Sequence, residues 1–102
     1  MSDYDNRQYR LMVERIDQFE KKSIGLRHLI TDLEALLCVL QEADQNWKSA
    51  FHKQWAVIEE VYAVVLDRKL KEVPQEYWKL IDDAVSTMKQ LLTEVVVPES
   101  EP

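Results

Sequence analysis

Turn-forming residues are scarce in this chain, with one glycine and three prolines in 102 residues. A fold of many short strands needs tight turns at close intervals, and such turns draw on Gly and Pro. Their scarcity argues against that class and predicts few, long elements, which means helices. The lone cysteine, Cys38 inside "LLCVL", cannot close an internal disulfide, so nothing calls for an oxidising compartment. With apolar neighbours on both sides, Cys38 reads as an inert small hydrophobe. The only histidines are His28 and His52. Neither belongs to an H-E-x-x-H or E-x-x-H motif, so no metal or cofactor is expected. Asp32 lies four residues after His28, which predicts an ion pair on one helix face in place of a ligand set. No Gly-rich loop can cradle a phosphate, and Ser23, Ser49 and Ser86 lack a nucleophile-elbow setting. No apolar run approaches the ~18 residues of a membrane span. The opening "MSDYDNRQYR" has no apolar h-region. The expectation is a soluble, cytoplasmic protein that is not an enzyme.

Positive charge is also in deficit. Thirteen Lys and Arg stand against nineteen Asp and Glu, a net charge of −6. Such a chain repels phosphate backbones and anionic bilayers, so neither nucleic acid nor membrane is an expected partner. A basic protein is favoured, because complementary potentials speed encounter and select partners. Adjacent acids occur at Glu59–Glu60 and Asp82–Asp83, but neighbours on a helix point ~100° apart and do not form an acid/base pair.

Apolar residues make up 46% of the chain, enough to bury a core in one domain. Four helical stretches carry them. The first spans roughly 3–22, with Tyr9, Met12, Val13, Ile16 and Phe19 on one stripe and a chain reversal expected at Gly25. The second spans roughly 26–43. Leu26, Leu29, Ile30, Leu33, Leu36, Leu37 and Leu40 occupy an arc of ~120°, the width of a core-facing stripe. The third begins at the N-cap residue Asp44 and runs to about Leu70. Trp47, Phe51, Trp55, Ile58, Tyr62 and Val65 repeat at spacings of four and three, a near-heptad seam. The fourth follows Pro74, placed in the first turn, with Tyr77, Ile81, Ala84, Met88, Leu91 and Val95 inward and Trp78 at the stripe's edge. Short connections between four amphipathic segments predict an all-α, antiparallel four-helix bundle over residues 1–96. Residues 97–102, ending in "PESEP", are expected to be a disordered tail.

Charge is unevenly distributed along the chain. Residues 1–28 carry five acids and six bases, residues 29–67 carry seven acids and two bases, and the remainder carries seven acids and five bases. The middle two helices therefore hold most of the excess: Asp32, Glu34, Glu42, Asp44, Glu59, Glu60 and Asp67. These make a candidate docking face for a basic protein, although a solvated face that maintains solubility has the same composition. Glu59, on the shoulder of the seam beside Trp55, is as well suited to hold an aromatic N–H or O–H as to meet a partner. Trp78 is a candidate anchor, since Trp is enriched at interface hot spots.

The stretch from Leu29 to Asp67 fits "LIxDLEALLxxLxxxDxxWxxxFxxxWxxIExxYAxxLD". In this it resembles small bacterial immunity proteins that accompany polymorphic toxins, including those of contact-dependent growth inhibition. The resemblance covers the middle two helices. Where it leads one to expect a Gly-containing turn after "YAxxLD", this chain reads "RKLKEVP". The resemblance implies a protein that binds and neutralises a cognate toxin domain, often a nuclease, by covering its basic surface. The residues expected to bind the partner are Asp32, Glu34, Glu42, Glu59, Glu60, Asp67 and Trp78. The alternative expectation is a homo-oligomeric helical scaffold or adaptor, because Val39, Val57 and Val64 extend the apolar surface beyond the stripes.

Overall fold

Apolar side chains repeating every three or four residues leave water together only when the chain coils into helices whose stripes face one another. The computed structural model, which describes residues 3–97, has that form. Its four helices are α1 (Asp3–Glu20), α2 (Leu26–Cys38), α3 (Gln45–Asp67) and α4 (Gln75–Val95), and no strand occurs among the described residues. Each helix packs on its neighbours in sequence, and α1 closes the ring against α4. Across the diagonal, the rings of Tyr9 and Trp47 meet edge to face, 5.1 Å between centroids. The molecule measures 49 × 27 × 19 Å.

The core is built from Met12, Ile16, Leu29, Leu33, Phe51, Ile58, Ile81, Met88 and Leu92, all buried almost completely. Burying each such side chain stabilises the fold by about 1.5–3 kcal/mol. Two stripes differ from the sequence expectation. On α4 the inward line is Ile81, Ala84, Val85, Met88 and Leu92, while Tyr77, Leu91 and Val95 are only half-buried. The helix has turned toward Val85 and Leu92, the same side as Trp78. On α3, Val61 is buried, whereas Tyr62 and Val65 are half-exposed. On α1, Val13 is 44% exposed, and the stripe continues instead to Asp5, buried four residues before Tyr9.

The helix ends are set by specific chemistry. Asp44 caps α3 as expected, its carboxylate accepting the Trp47 N–H at 3.1 Å. Pro74 stands one position earlier than expected, as the residue flanking α4, and its carbonyl accepts from Tyr77 and Trp78. The reversal after α1 is not made by Gly25, whose φ of −87° is ordinary extended backbone at the head of α2. It is made by Lys22, with φ 63°. The Ser23 N–H bonds back to the Gln18 carbonyl and the Lys22 N–H to that of Phe19, the paired pattern of a Schellman ending. The same device closes α3 three residues short of Leu70. Lys69 has φ 55°, the Leu70 N–H meets the Val65 carbonyl, and the Lys69 N–H meets that of Leu66. A lysine thus occupies the backbone position where the resemblance calls for glycine.

The second helix stops at Cys38 instead of Ala43, and the reason lies in α1. The Asp5 carboxylate, 2% exposed, accepts the N–H groups of Gln41 at 2.8 Å and Glu42 at 2.7 Å. Those donors are thereby lost to a helix, and Leu40 folds inward as the buried anchor of the connection. Val97, the first residue of the expected tail, is tied to α1. It exchanges two hydrogen bonds with the Asn6 amide, and its carbonyl accepts from Arg10. The rest of the expected tail, residues 98–102, lies outside the described residues.

Candidate functional site

The bonds above fix which parts of the chain share an end. The start of α1, the α2–α3 connection and the end of α4 lie together at one end. The α1–α2 connection and the start of α4 lie together at the other, where Phe19 stacks on Trp78 with 6.3 Å between ring centroids.

The six carboxylates expected to bind a partner do not share one face. Asp32 is turned toward α1. Its Oδ2 accepts from Arg15 Nε at 2.9 Å and lies 3.1 Å from His28 Nε2. The contact expected between His28 and Asp32 is therefore present, and Arg15 makes it a triad that absorbs the Asp32 charge. Glu34 projects ~200° around α2 from Asp32, so it borders the opposite seam, between α2 and α3. Glu59 borders the same seam. It lies ~40° beyond Trp55 on α3, and the Trp55 indole points into that seam to reach the Ile30 carbonyl at 2.9 Å. Glu60 and Asp67 project ~160–180° from the buried Ile58, onto the outer face of α3. Glu42 stands apart, in the connection latched by Asp5. Glu34, Glu42, Glu59, Glu60 and Asp67 are all exposed, and none makes an ion pair with another described residue.

Glu59 is not needed to satisfy an aromatic group. The Trp55 indole uses the Ile30 carbonyl, and the Trp47 indole donates to the Leu91 carbonyl at 2.8 Å. Both core tryptophans therefore tie a neighbouring helix by its main chain. No buried side-chain polar atom among the described residues lacks a partner.

Trp78 sits at the seam of α4 with α1, across the ring from the seam bordered by Glu34 and Glu59, so the two cannot meet one small epitope. It lines an open notch of about 970 Å³ with Phe19, Ile24, Leu26, Val73 and Val85. Lys22, Asp82 and the bridged pair Glu20–Lys89, 2.9 Å apart, lie at its rim. Cys38 is exposed, contrary to the expected buried hydrophobe, because α2 ends there and the residue lies outside the apolar arc. It borders a shallow groove with Lys48, Ser49 and His52. Of the apolar positions that suggested a scaffold, Val57 and Val64 are half-buried, and only Val39 is fully at the surface.

Sequence reasoning missed Asp5. A signal was present: Asp5, Tyr9, Met12 and Ile16 stand at i, i+4, i+7 and i+11, which puts an acid on the apolar stripe. Burial raises the Tyr9 hydroxyl above the usual tyrosine value, and the nearby Asp5 charge adds to the rise. Among the described residues no group of three or more His, Cys, Asp or Glu is placed to hold a metal ion, and no helix is long and apolar enough to cross a membrane. No protein-family model, no curated protein and no solved structure matches this chain.

Proposed function

We propose that this chain is an immunity protein, a helical bundle that binds a cognate bacterial toxin domain and neutralises it by covering a basic surface. One observation supports this most. Glu34 and Glu59 at the α2–α3 seam, and Glu60 and Asp67 on the adjoining outer face of α3, are exposed and in no ion pair with another described residue. Carboxylates left free in this way keep their field for a partner. Asp32 drops out as a principal contact, since Arg15 and His28 already hold it. The net charge of −6 and the resemblance over Leu29 to Asp67 point the same way. A toxin that holds nucleic acid must present basic side chains, and an acidic flank can occupy them in place of phosphates.

The test is calorimetric titration with the toxin domain encoded beside this chain. Reversing Glu34, Glu59 and Glu60 together to Lys should weaken binding at least tenfold and flatten its salt dependence, while Asp82→Lys, on another helix, should leave both unchanged. Unaltered affinity in the triple variant would remove this flank as the docking face.

A further inference from the structure

Every helix of the ring has two sides about its buried line, and the contacts across each seam identify them. On α4, Trp78 and Lys89 mark the side of α1, through Phe19 and Glu20. Glu76, Leu80, Asp83 and Glu94 project to the other side, toward α3. On α3, Trp55 marks the side of α2 by its bond to the Ile30 carbonyl. Lys53, Val57, Glu60 and Val64 project toward α4, and Asp67 lies on the outermost line. The α3–α4 seam therefore holds five acids, Glu60, Asp67, Glu76, Asp83 and Glu94, against one base, Lys53. Leaving aside the buried Asp5, the three other seams together hold eight acids and seven bases of the four helices. The excess of acid in the helices is thus concentrated at one seam. The connection 68–74 at its foot is basic, and with it included the surface still holds six acids against four bases. All five acids are exposed, and none is in an ion pair with another described residue. Lys53 lines the groove beside Cys38, on the far side of α3.

The same seam has an apolar floor. Leu80 is 48% exposed. The Trp47 indole joins the start of α3 to Leu91, near the end of α4. At ~1.5 Å of rise per residue along both helices, Leu80 then stands level with α3 between Val57 and Val64, both half-buried. An apolar line runs along the groove, with Glu60 and Asp67 on one bank and Glu76 and Asp83 on the other.

We infer that this groove takes an amphipathic helix of a basic protein. The apolar stripe of that helix lies on Val57, Leu80 and Val64, and its lysines or arginines meet acids on both banks, the arrangement by which helices dock in grooves. Complementary charge selects this occupant. A second copy of this chain would set the same acids against themselves, and a phosphate backbone would be repelled. The inference rests on the immunity reading only in taking the partner to be basic. It names the seam on the other side of α3 from Glu34 and Glu59, with Glu60 and Asp67 common to both surfaces.

The test is fluorescence anisotropy with a labelled peptide of leucine and lysine, ~18 residues long, its leucines at helical spacing. The peptide should bind the wild-type chain at ~20 mM salt, and at least tenfold more weakly at ~0.5 M, where charge is screened within a few ångströms. A rearranged peptide of the same composition, without the stripe, should bind at least tenfold more weakly. E76K/D83K should lose at least tenfold in affinity with unchanged circular dichroism. E34K/E59K, the same change of charge at the neighbouring seam, should stay within about threefold of the wild type. Leu80→Ser should weaken binding and leave its salt dependence intact. Equal losses in the two double variants, equal binding of the two peptides, or no binding at ~1 mM peptide would each overturn the inference. Titration with the toxin domain decides the immunity reading and titration with the peptide decides this one, so either can fail alone.

Discussion

At the end of the bundle where α1 begins, irregular backbone is tied down by side chains. Asp5 holds the N–H groups of Gln41 and Glu42, and Asn6 and Arg10 hold Val97. At the other end, α1 and α3 finish on lysines with φ near 60°, and the space between them and α4 stays open as the notch lined by Phe19 and Trp78. One end spends polar groups on internal order, while the other keeps its charges and aromatic edges at the surface. The two ends thus differ because a buried carboxylate reaches across one of them, and the other has no counterpart among the described residues.

Five substitutions probe that difference. The largest effect is expected from Asp5→Ala, which leaves two main-chain N–H groups without their charged acceptor and should cost about 3 kcal/mol, read as a shift in the urea midpoint. A loss below ~1 kcal/mol would mean that the latch is incidental. Trp78→Ala, at the open end, removes a half-buried ring and its stacking on Phe19. Losing the stacking costs about 0.5–1.5 kcal/mol and losing the ring's partial burial about as much again, roughly 2 kcal/mol in all, and a loss as large as that of Asp5→Ala would erase the contrast between the ends. Third, Lys22→Gly and Lys69→Gly relieve left-handed backbone that costs a side-chain-bearing residue about 1–2 kcal/mol. Part of that gain is lost to the greater freedom of glycine in the unfolded chain, so each variant should be stabilised by about 0.5 kcal/mol. Destabilisation by either would show that the lysine side chain does more than occupy the turn.

The smallest effect is visible only in alkali. The folded state raises the Tyr9 hydroxyl above its ordinary value, so the native chain keeps that proton to higher pH than the unfolded chain does. The stabilisation is complete below a pH of about 10 and is lost as pH climbs from there through the folded value. Tyr9→Phe should therefore match the wild type's pH dependence at neutral pH and lose less stability between pH ~9 and ~11. Equal alkaline losses in both proteins would assign the effect to other groups.

Much of the fold was legible beforehand because period and composition are local properties. The stripe of α2, the Tyr9, Met12 and Ile16 line of α1, the Asp44 cap and the His28–Asp32 contact all follow from spacings of three or four residues. Failures occurred where a distant group intervenes. Asp5 stops α2 from 36 residues away in sequence, and no pattern within "CVLQEAD" announces it. The candidate docking acids were correctly identified as an excess, but helical projection on a single element could not tell that Asp32 faces Arg15 while Glu34 faces another seam.

By itself, then, the sequence determined four amphipathic helices, their order and the excess of acid over base, because each depends only on residue type and helical period. Only the tertiary structure decided where the helices stop and which carboxylates remain free. Those properties depend on which segments meet in space. A carboxylate, an indole N–H or a lysine is neutralised, satisfied or left available by the neighbour that packing supplies.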